Sequence, residues 1–269
     1  MKTLKHFSSL LFTIAFSIVL SGCAHLQSRD IVYQNSPISS LMAGVYDGET
    51  SYRTVRAHGN FGLGTFNGLD GEMVGLEGEF FQVTVDGKVH PVNDSMKTPF
   101  VVVTFFEPDL TFRISSVSTM KELEQYLDAQ LPSRNILYAI RINGIFEYIK
   151  ARSIPRQHTP YPPLAEAVQQ QAIFEFHAIE GTLVGFRSPA YAAGINVPGY
   201  HFHFISKDRK NGGHLLDCSM QDGTAAVDSA HNLYLTLPGH GDFYRAGLAE
   251  TQSGELDAIE KSGSLNKER

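Results

Sequence analysis

The 269-residue sequence has no tryptophan and only two cysteines, Cys23 and Cys218. A chain so poor in cysteine cannot rest its stability on a disulfide framework. Its N-terminal apolar run, Phe7 to Leu20, is too short to be a comfortable membrane span. It also lacks a surplus of positive charge: 22 Lys and Arg stand against 28 Asp and Glu, for a net charge of −6. An acidic chain argues against nucleic acid as a partner. Several catalytic signatures are missing. There is no H-E-x-x-H, which excludes a zincin protease, and no G-x-S-x-G nucleophile elbow. Gly62 and Gly64 begin a glycine-rich run, but Asn67 stands where a dinucleotide-binding fingerprint needs its third glycine.

What is present starts with a targeting segment. Lys2 and Lys5 precede the apolar stretch Phe7 to Leu20, which ends in "LSGC", Leu20 to Cys23. Basic start, short apolar run and small residues before a cysteine follow the order of a bacterial lipoprotein signal. Residues 1–22 are then a signal peptide and Cys23 the lipidated first residue of an exported, membrane-anchored protein on the periplasmic or extracellular side. The alternative is a plain secretory signal that contains a cysteine. Ala24 follows, with no Asp to favour inner-membrane retention. Losing residues 1–22 removes two lysines and no acid, so the net charge falls to about −8. With Cys23 lipidated, Cys218 has no partner. Residues 23–36 read as a polar, irregular tether.

Beyond the tether, β patterns dominate: "FFQVTV", "PFVVVTFF", "LYAIRING", "IFEYIKARS", "AIFEFHAIEGTLVGF", "YHFHFIS" and "LYLTL". Helical signals are few. "STMKELEQYLDAQL" carries a capping box, Thr119 with Glu122, and apolar residues at Met120, Leu123, Tyr126 and Leu127. "PPLAEAVQQQ" opens on prolines, and residues 249–261 are expected to form a last amphipathic helix. "LDGEMVGL" (Leu69 to Leu76) and "IEGTLVGF" (Ile179 to Phe186) share one pattern, with the proline-rich connection Arg156 to Leu164 between them. The expected fold is α+β, in two related halves (37–160 and 161–269), each a mixed or antiparallel sheet with few helices.

The chemistry concentrates in "YHFHFISKDRKNGGHLLDC", Tyr200 to Cys218. In a strand, His201 and His203 share one face while Tyr200, Phe202 and Phe204 take the other, core face. "DRKNGG" reads as a turn, and His214 starts the return strand beside the pair. Three neutral imidazoles from two paired strands leave a metal with an open position, as a catalytic zinc requires. The plainer reading makes His201 and His203 polar strand residues and His214 a turn residue; clustering of three favours the metal. A cupin would add a Glu where Lys207 and Asp208 stand. A carbonic anhydrase would place its third histidine much farther along.

The second informative block is "AHGNFGLGTFNGLDGEMVGLEGEFFQV", Ala57 to Val83. Its glycines suit a backbone turning beside a ligand. Glu72, between Gly71 and apolar residues, is placed to be buried and to exchange protons. Glu77 and Glu79 read as solvent-facing.

These two blocks together resemble alpha-acetolactate decarboxylase, with similarity running from about Leu41 to about Glu260. "GLGTFNGLDGE" and the H-x-H-x(10)-H spacing carry the resemblance most strongly. It implies a Zn2+ ion bound by His201, His203 and His214, and an acid/base carboxylate at Glu72. It implies a hydroxyl lining the site at Thr65, an active-site cation at Arg152, and a C-terminal glutamate reaching the metal, matched first to Glu260 and second to Glu255. The implied reaction is decarboxylation of 2-acetolactate to acetoin and carbon dioxide, with zinc as Lewis acid stabilising an enediolate. Two alternatives stand beside it: another zinc lyase or hydrolase on this scaffold, and a metal-binding lipoprotein without activity. Expected partners are the small substrate, a membrane through the lipid anchor alone and, optionally, a second copy of the chain.

Overall fold

The structure is a computed structural model and describes residues 30–248 and 256–262. The expected signal peptide, Cys23 and Glu255 lie outside the described residues.

Seven strands build the larger sheet: β1 (Ile31–Asn35), β3 (Phe61–Thr65), β4 (Glu72–Leu76), β5 (Glu79–Val83), β6 (Val89–Pro91), β8 (Val101–Thr104) and β14 (Asn232–Thr236). Their order is β14-β1-β8-β3-β4-β5-β6, antiparallel except for the parallel pair β14 and β1. Five further strands are β9 (Leu110–Ile114), β10 (Leu137–Ser153), β11 (Ala172–Ser188), β12 (Gly199–Ser206) and β13 (Gly212–Ala230). Their order is β10-β11-β12-β13-β9, and β10 also pairs with β13. The pairing therefore returns on itself, and the long strands curl into a small barrel. A short ribbon joins β2 (Thr50–Ser51) to β7 (Lys97–Thr98). The helices α1 (Ile38–Met42), α2 (Tyr52–Arg56), α3 (Met120–Gln130) and α4 (Leu164–Ala167) are short. The α+β class with few helices is as expected.

Strand periodicity sorts the apolar residues into separate cores. Phe61, Leu63, Val74, Leu76 and Val102 of the larger sheet meet Val184, Phe186 and Ile205 of the barrel in the core between the two. Tyr200, Phe202 and Phe204 point the other way, into the barrel with Ile140, Phe146 and Leu183, under Leu123 and Leu127 of α3. Tyr33, Tyr52, Met73 and Phe80 form a third cluster with Val101 and Val103. The two copies of the eight-residue pattern fall on β4 and β11, in different sheets.

Three expectations need correction. Residues 31–35 are not tether but β1, an inner strand of the larger sheet, because Val32 and Tyr33 bury completely or nearly so between β14 and β8. "LYAIRING" and "IFEYIKARS" are one 17-residue strand, β10. The boundary between the sheets does not fall at 160/161. β9 and β10 already belong to the barrel, because β10 pairs with β11 along its whole length across the proline connection, from Tyr138↔Arg187 to Ser153↔Ala172. β14 returns from the far end of the chain to the larger sheet. Of the expected last helix, 249–261, residues 249–255 lie outside the described residues; the rest is an α-helical turn at Leu256–Asp257 running into a π-helical turn, Ala258–Ser262.

Candidate metal centre

β-Sheet register brings the site together from both sides of the central core. On the barrel, His203 of β12 pairs with His214 of β13, and His214 pairs with Arg152 of β10. His201 lies two residues before His203, on the same face. On the larger sheet, Thr65 of β3 pairs with Glu72 of β4. Alternation from the core residues Leu63 and Val74 turns both toward the barrel. The turn Ala258–Ser262 adds Glu260. All seven residues are buried, none more than 8% exposed.

Two glycines let these strands approach. Gly71, at φ +81°, precedes Glu72, and a Cβ there would meet the Val83 carbonyl oxygen at 2.3 Å. Gly213, at φ +146°, precedes His214, and a Cβ there would lie 2.6 Å from the Arg152 carbonyl oxygen. Any other residue at either position would be strained and would push apart the strands that carry the site.

One nitrogen of each of His201, His203 and His214 lies within 4.8 Å of the others. The hydrogen bonds indicate which nitrogens converge. Nδ1–H of His203 donates to the Met73 carbonyl oxygen at 2.8 Å, leaving Nε2 for a ligand. Nε2–H of His214 donates to the Glu260 carbonyl oxygen at 2.9 Å, leaving Nδ1. That Nδ1 lies 3.2 Å from Nε2 of His201. Two nitrogens bound to a tetrahedral zinc at ~2.0–2.1 Å sit ~3.4 Å apart, so the pair is spaced as two such ligands. Burial, with Arg152 nearby, holds the His201 imidazolium pKa down at about 3. Burial first, then like charge, puts His203 and His214 well below their ordinary value too. All three are therefore neutral, the form that binds a metal.

Carboxylates flank the imidazoles. Glu72 Oε2 is 3.6 Å from His203 Nε2. Glu260 Oε2 is 3.5 Å from His201 Nε2 and 3.7 Å from His214 Nε2. Glu260 Oε2 is buried without a hydrogen-bond partner, as are His201 Nδ1 and Arg152 Nε. Orphaned buried polar atoms beside three convergent neutral imidazoles are the expected surroundings of a cation with a polar ligand. The residues fit a divalent metal. Burial pushes the Glu72 carboxyl up to about 7, against the pull of Arg152 and with the help of Glu260. Burial likewise raises Glu260, with Arg152 opposing. Arg152 donates to Gln171 Oε1 at 3.3 Å. Thr65 lines the site, but its hydroxyl donates to the Gly71 carbonyl oxygen at 2.7 Å, so it also holds the turn that presents Glu72.

A cavity of about 30 Å³ is lined by these seven residues, with Leu41, Leu69, Phe100 and Ile154 among its apolar walls. A larger one, of about 370 Å³, shares His201, His214 and Glu260 with it and is walled by the first turn of α3.

The structure thus gathers His201, His203, His214, Glu72, Arg152, Thr65 and Glu260 into one place; Glu255 lies outside the described residues. Sequence reading missed the outer partners: the carbonyls of Met73 and Glu260, and the Gln171 amide. A backbone carbonyl leaves no mark in a residue pattern, and Gln171 is one of three consecutive glutamines.

Known proteins share this sequence and fold. The sequence profile of the alpha-acetolactate decarboxylases matches residues 32–250. The alpha-acetolactate decarboxylase of Methanosarcina mazei is 49% identical over 234 residues, covering 87% of this chain and 81% of the relative. That of Bacillus subtilis is 45% identical over 230 residues, covering 86% of this chain and 90% of the relative. The crystal structure of alpha-acetolactate decarboxylase from Bacillus subtilis strain 168 superposes with a TM-score of 0.83 at 42% identity, covering 86% of this chain and 99% of that one. A histidine triad, a protonatable buried glutamate and a buried arginine, on a chain matched along nearly its whole described length, have one reading: the chain belongs to the alpha-acetolactate decarboxylase family and is a carboxy-lyase.

Proposed function

We propose that this chain decarboxylates 2-acetolactate to acetoin and carbon dioxide, with a zinc ion held by His201, His203 and His214. The observation that carries this reading is the meeting, in one buried site, of the neutral triad with Glu72, Glu260 and Arg152. Zinc bound there supplies Lewis acidity at the substrate ketone, where the electron pair released with carbon dioxide must go. The chain's residues do the rest. The Arg152 guanidinium, buried beside His214, binds the substrate carboxylate and orients the bond to be broken. Glu72, with its carboxyl at about 7, holds a proton near neutrality and delivers it to the carbon that lost carbon dioxide. One carbon–carbon bond breaks, one carbon–hydrogen bond forms, and water reprotonates the carboxylate. Because Glu72 comes from the larger sheet and the histidines from the barrel, the proton arrives on a fixed face of the substrate. The apolar walls keep stray water from that carbon.

The test is to mix purified mature protein with racemic 2-acetolactate and measure acetoin. We expect acetoin from the zinc-loaded protein, its loss with a chelator and its return on adding zinc. Zinc-loaded protein that leaves acetolactate unconverted would overturn the proposal. We propose further that the chain is exported and anchored by lipid at Cys23, on the strength of Lys2, Lys5, the apolar stretch and "LSGC". Cells fed a labelled fatty acid should label the wild-type protein and not Cys23→Ala.

A further inference from the structure

The C-terminal turn does two separable things at the centre. One belongs to the Glu260 carboxylate. The other belongs to its main chain: the Glu260 carbonyl oxygen accepts the Nε2–H of His214 at 2.9 Å. An imidazole has two nitrogens, and the one that keeps its proton decides which binds the metal. His203 is fixed by the same device from the other sheet, through the Met73 carbonyl oxygen at 2.8 Å, and presents Nε2. His214 is turned the opposite way and presents Nδ1 toward His201 Nε2, 3.2 Å away.

We propose that the turn Ala258–Ser262 is an outer frame of the metal centre, in which the Glu260 carbonyl fixes His214 as an Nδ1 ligand, independently of the Glu260 side chain. The inference rests on the metal reading above. Its anchor is visible: Leu256 and Ile259, 3% and 1% exposed, are built into the core between the two sheets, so the turn docks by its apolar side and offers its carbonyl inward. Lys261 lies 3.7 Å from Asp257 across the same turn. A carbonyl acceptor on a ligating imidazole fixes its tautomer and orientation and makes it a better donor to the metal; losing such a partner typically costs ~10–100-fold in metal affinity.

Two variants separate the functions. Glu260→Ala removes the carboxylate and leaves the carbonyl. The double substitution Leu256→Ser, Ile259→Ser leaves the carboxylate in the chain and undocks the turn. Zinc affinity is measured by chelator competition, and the histidine tautomers by nitrogen-15 NMR of histidine-labelled, zinc-loaded protein. In wild type and Glu260→Ala we expect His214 to carry its proton on Nε2, and His203 on Nδ1. In the double variant we expect the slowly exchanging His214 Nε2–H to disappear and zinc affinity to fall ~10–100-fold, while His203 keeps its tautomer. His214 bound through Nε2 in the wild type would overturn the proposal whether or not the double variant folds. So would a double variant with the wild-type tautomer and affinity. Wild-type protein that binds no zinc would instead sink the metal reading beneath it.

Discussion

Glu72 is set in place by its neighbours' backbones. Thr65 donates to the Gly71 carbonyl at 2.7 Å and the buried Gln82 amide donates to the Asp70 carbonyl at 2.6 Å, fixing two successive peptides before the carboxylate. Burial then lifts its carboxyl from 4.5 to about 7. In the metal-free protein the folded state therefore holds this proton more tightly than the unfolded chain does. The associated stability is complete below about pH 4.5 and is lost as pH rises through about 7. At ~1.4 kcal/mol per unit, the loss has a ceiling of ~3 kcal/mol. Metal-free Glu72→Gln, similar in shape but not ionisable, should thus be more stable than metal-free wild type at about pH 8. The gap should close at about pH 4 in urea denaturation. Loaded with zinc, the same variant should keep its metal and lose ~10²–10⁴-fold in turnover. Undiminished acetoin formation by Glu72→Gln would remove this residue from the chemistry.

Among the elements, α3 was the most legible in the sequence and β13 the least. Thr119 caps α3 by accepting from the Glu122 amide at 3.2 Å, and the Glu122 carboxylate reaches back to the Ser118 amide at 2.7 Å. The expected capping box is present, with its return bond one residue earlier than usual. Leu123 and Leu127 then pack in one core with Tyr200, Phe202 and Phe204, the aromatic face of the strand that carries His201 and His203. Thr119→Ala should cost ~1 kcal/mol in thermal unfolding and leave acetoin formation unchanged, since the cap touches nothing in the site. β13 runs for 19 residues as "GGHLLDCSMQDGTAAVDSA", a composition poor in strand formers. It is a strand because β10 lies along its length on one side while β12 and then β9 flank the other. Such tertiary support is invisible to local pattern. β10 hid its continuity for a related reason: Asn143-Gly144 resembles a turn. Gly144 instead pairs with Gly181 and Gly223, and a Cβ there would meet Met220 Cε at 2.5 Å. β12 could be read correctly because its alternation of histidine and aromatic residues is a local fact with a local consequence. The histidine spacing and the Gly-Glu step were legible in the same way. The partners of Arg152 and His214 were not, since they depend on where distant strands and the tail fold back.

At the scale of the whole molecule, the centre lies where separate parts of the chain converge. β12 and β13 bring the histidines, β4 brings Glu72 with the carbonyl that holds His203, and the tail brings the carbonyl that holds His214. An unfolded chain cannot hold this geometry, so a bound metal stabilises the native state alone. Zinc at a thousandfold excess over its dissociation constant would add ~4 kcal/mol. For a chain of this size each kcal/mol moves the melting temperature by ~2–4 °C. Stripping the metal with a chelator should therefore lower the melting temperature of the wild type by ~8–16 °C, and adding zinc should restore it. His203→Ala removes one ligand and leaves the Met73 carbonyl without its donor. It should melt at one temperature with or without zinc, and form no acetoin. The comparison separates a metal site from a merely buried polar cluster. In a cluster held by its own hydrogen bonds, His203→Ala would lower the melting temperature but the chelator would leave the wild type where it was. A zinc-dependent rise that survives in His203→Ala would place the ion elsewhere in the molecule and free the triad from its assigned role.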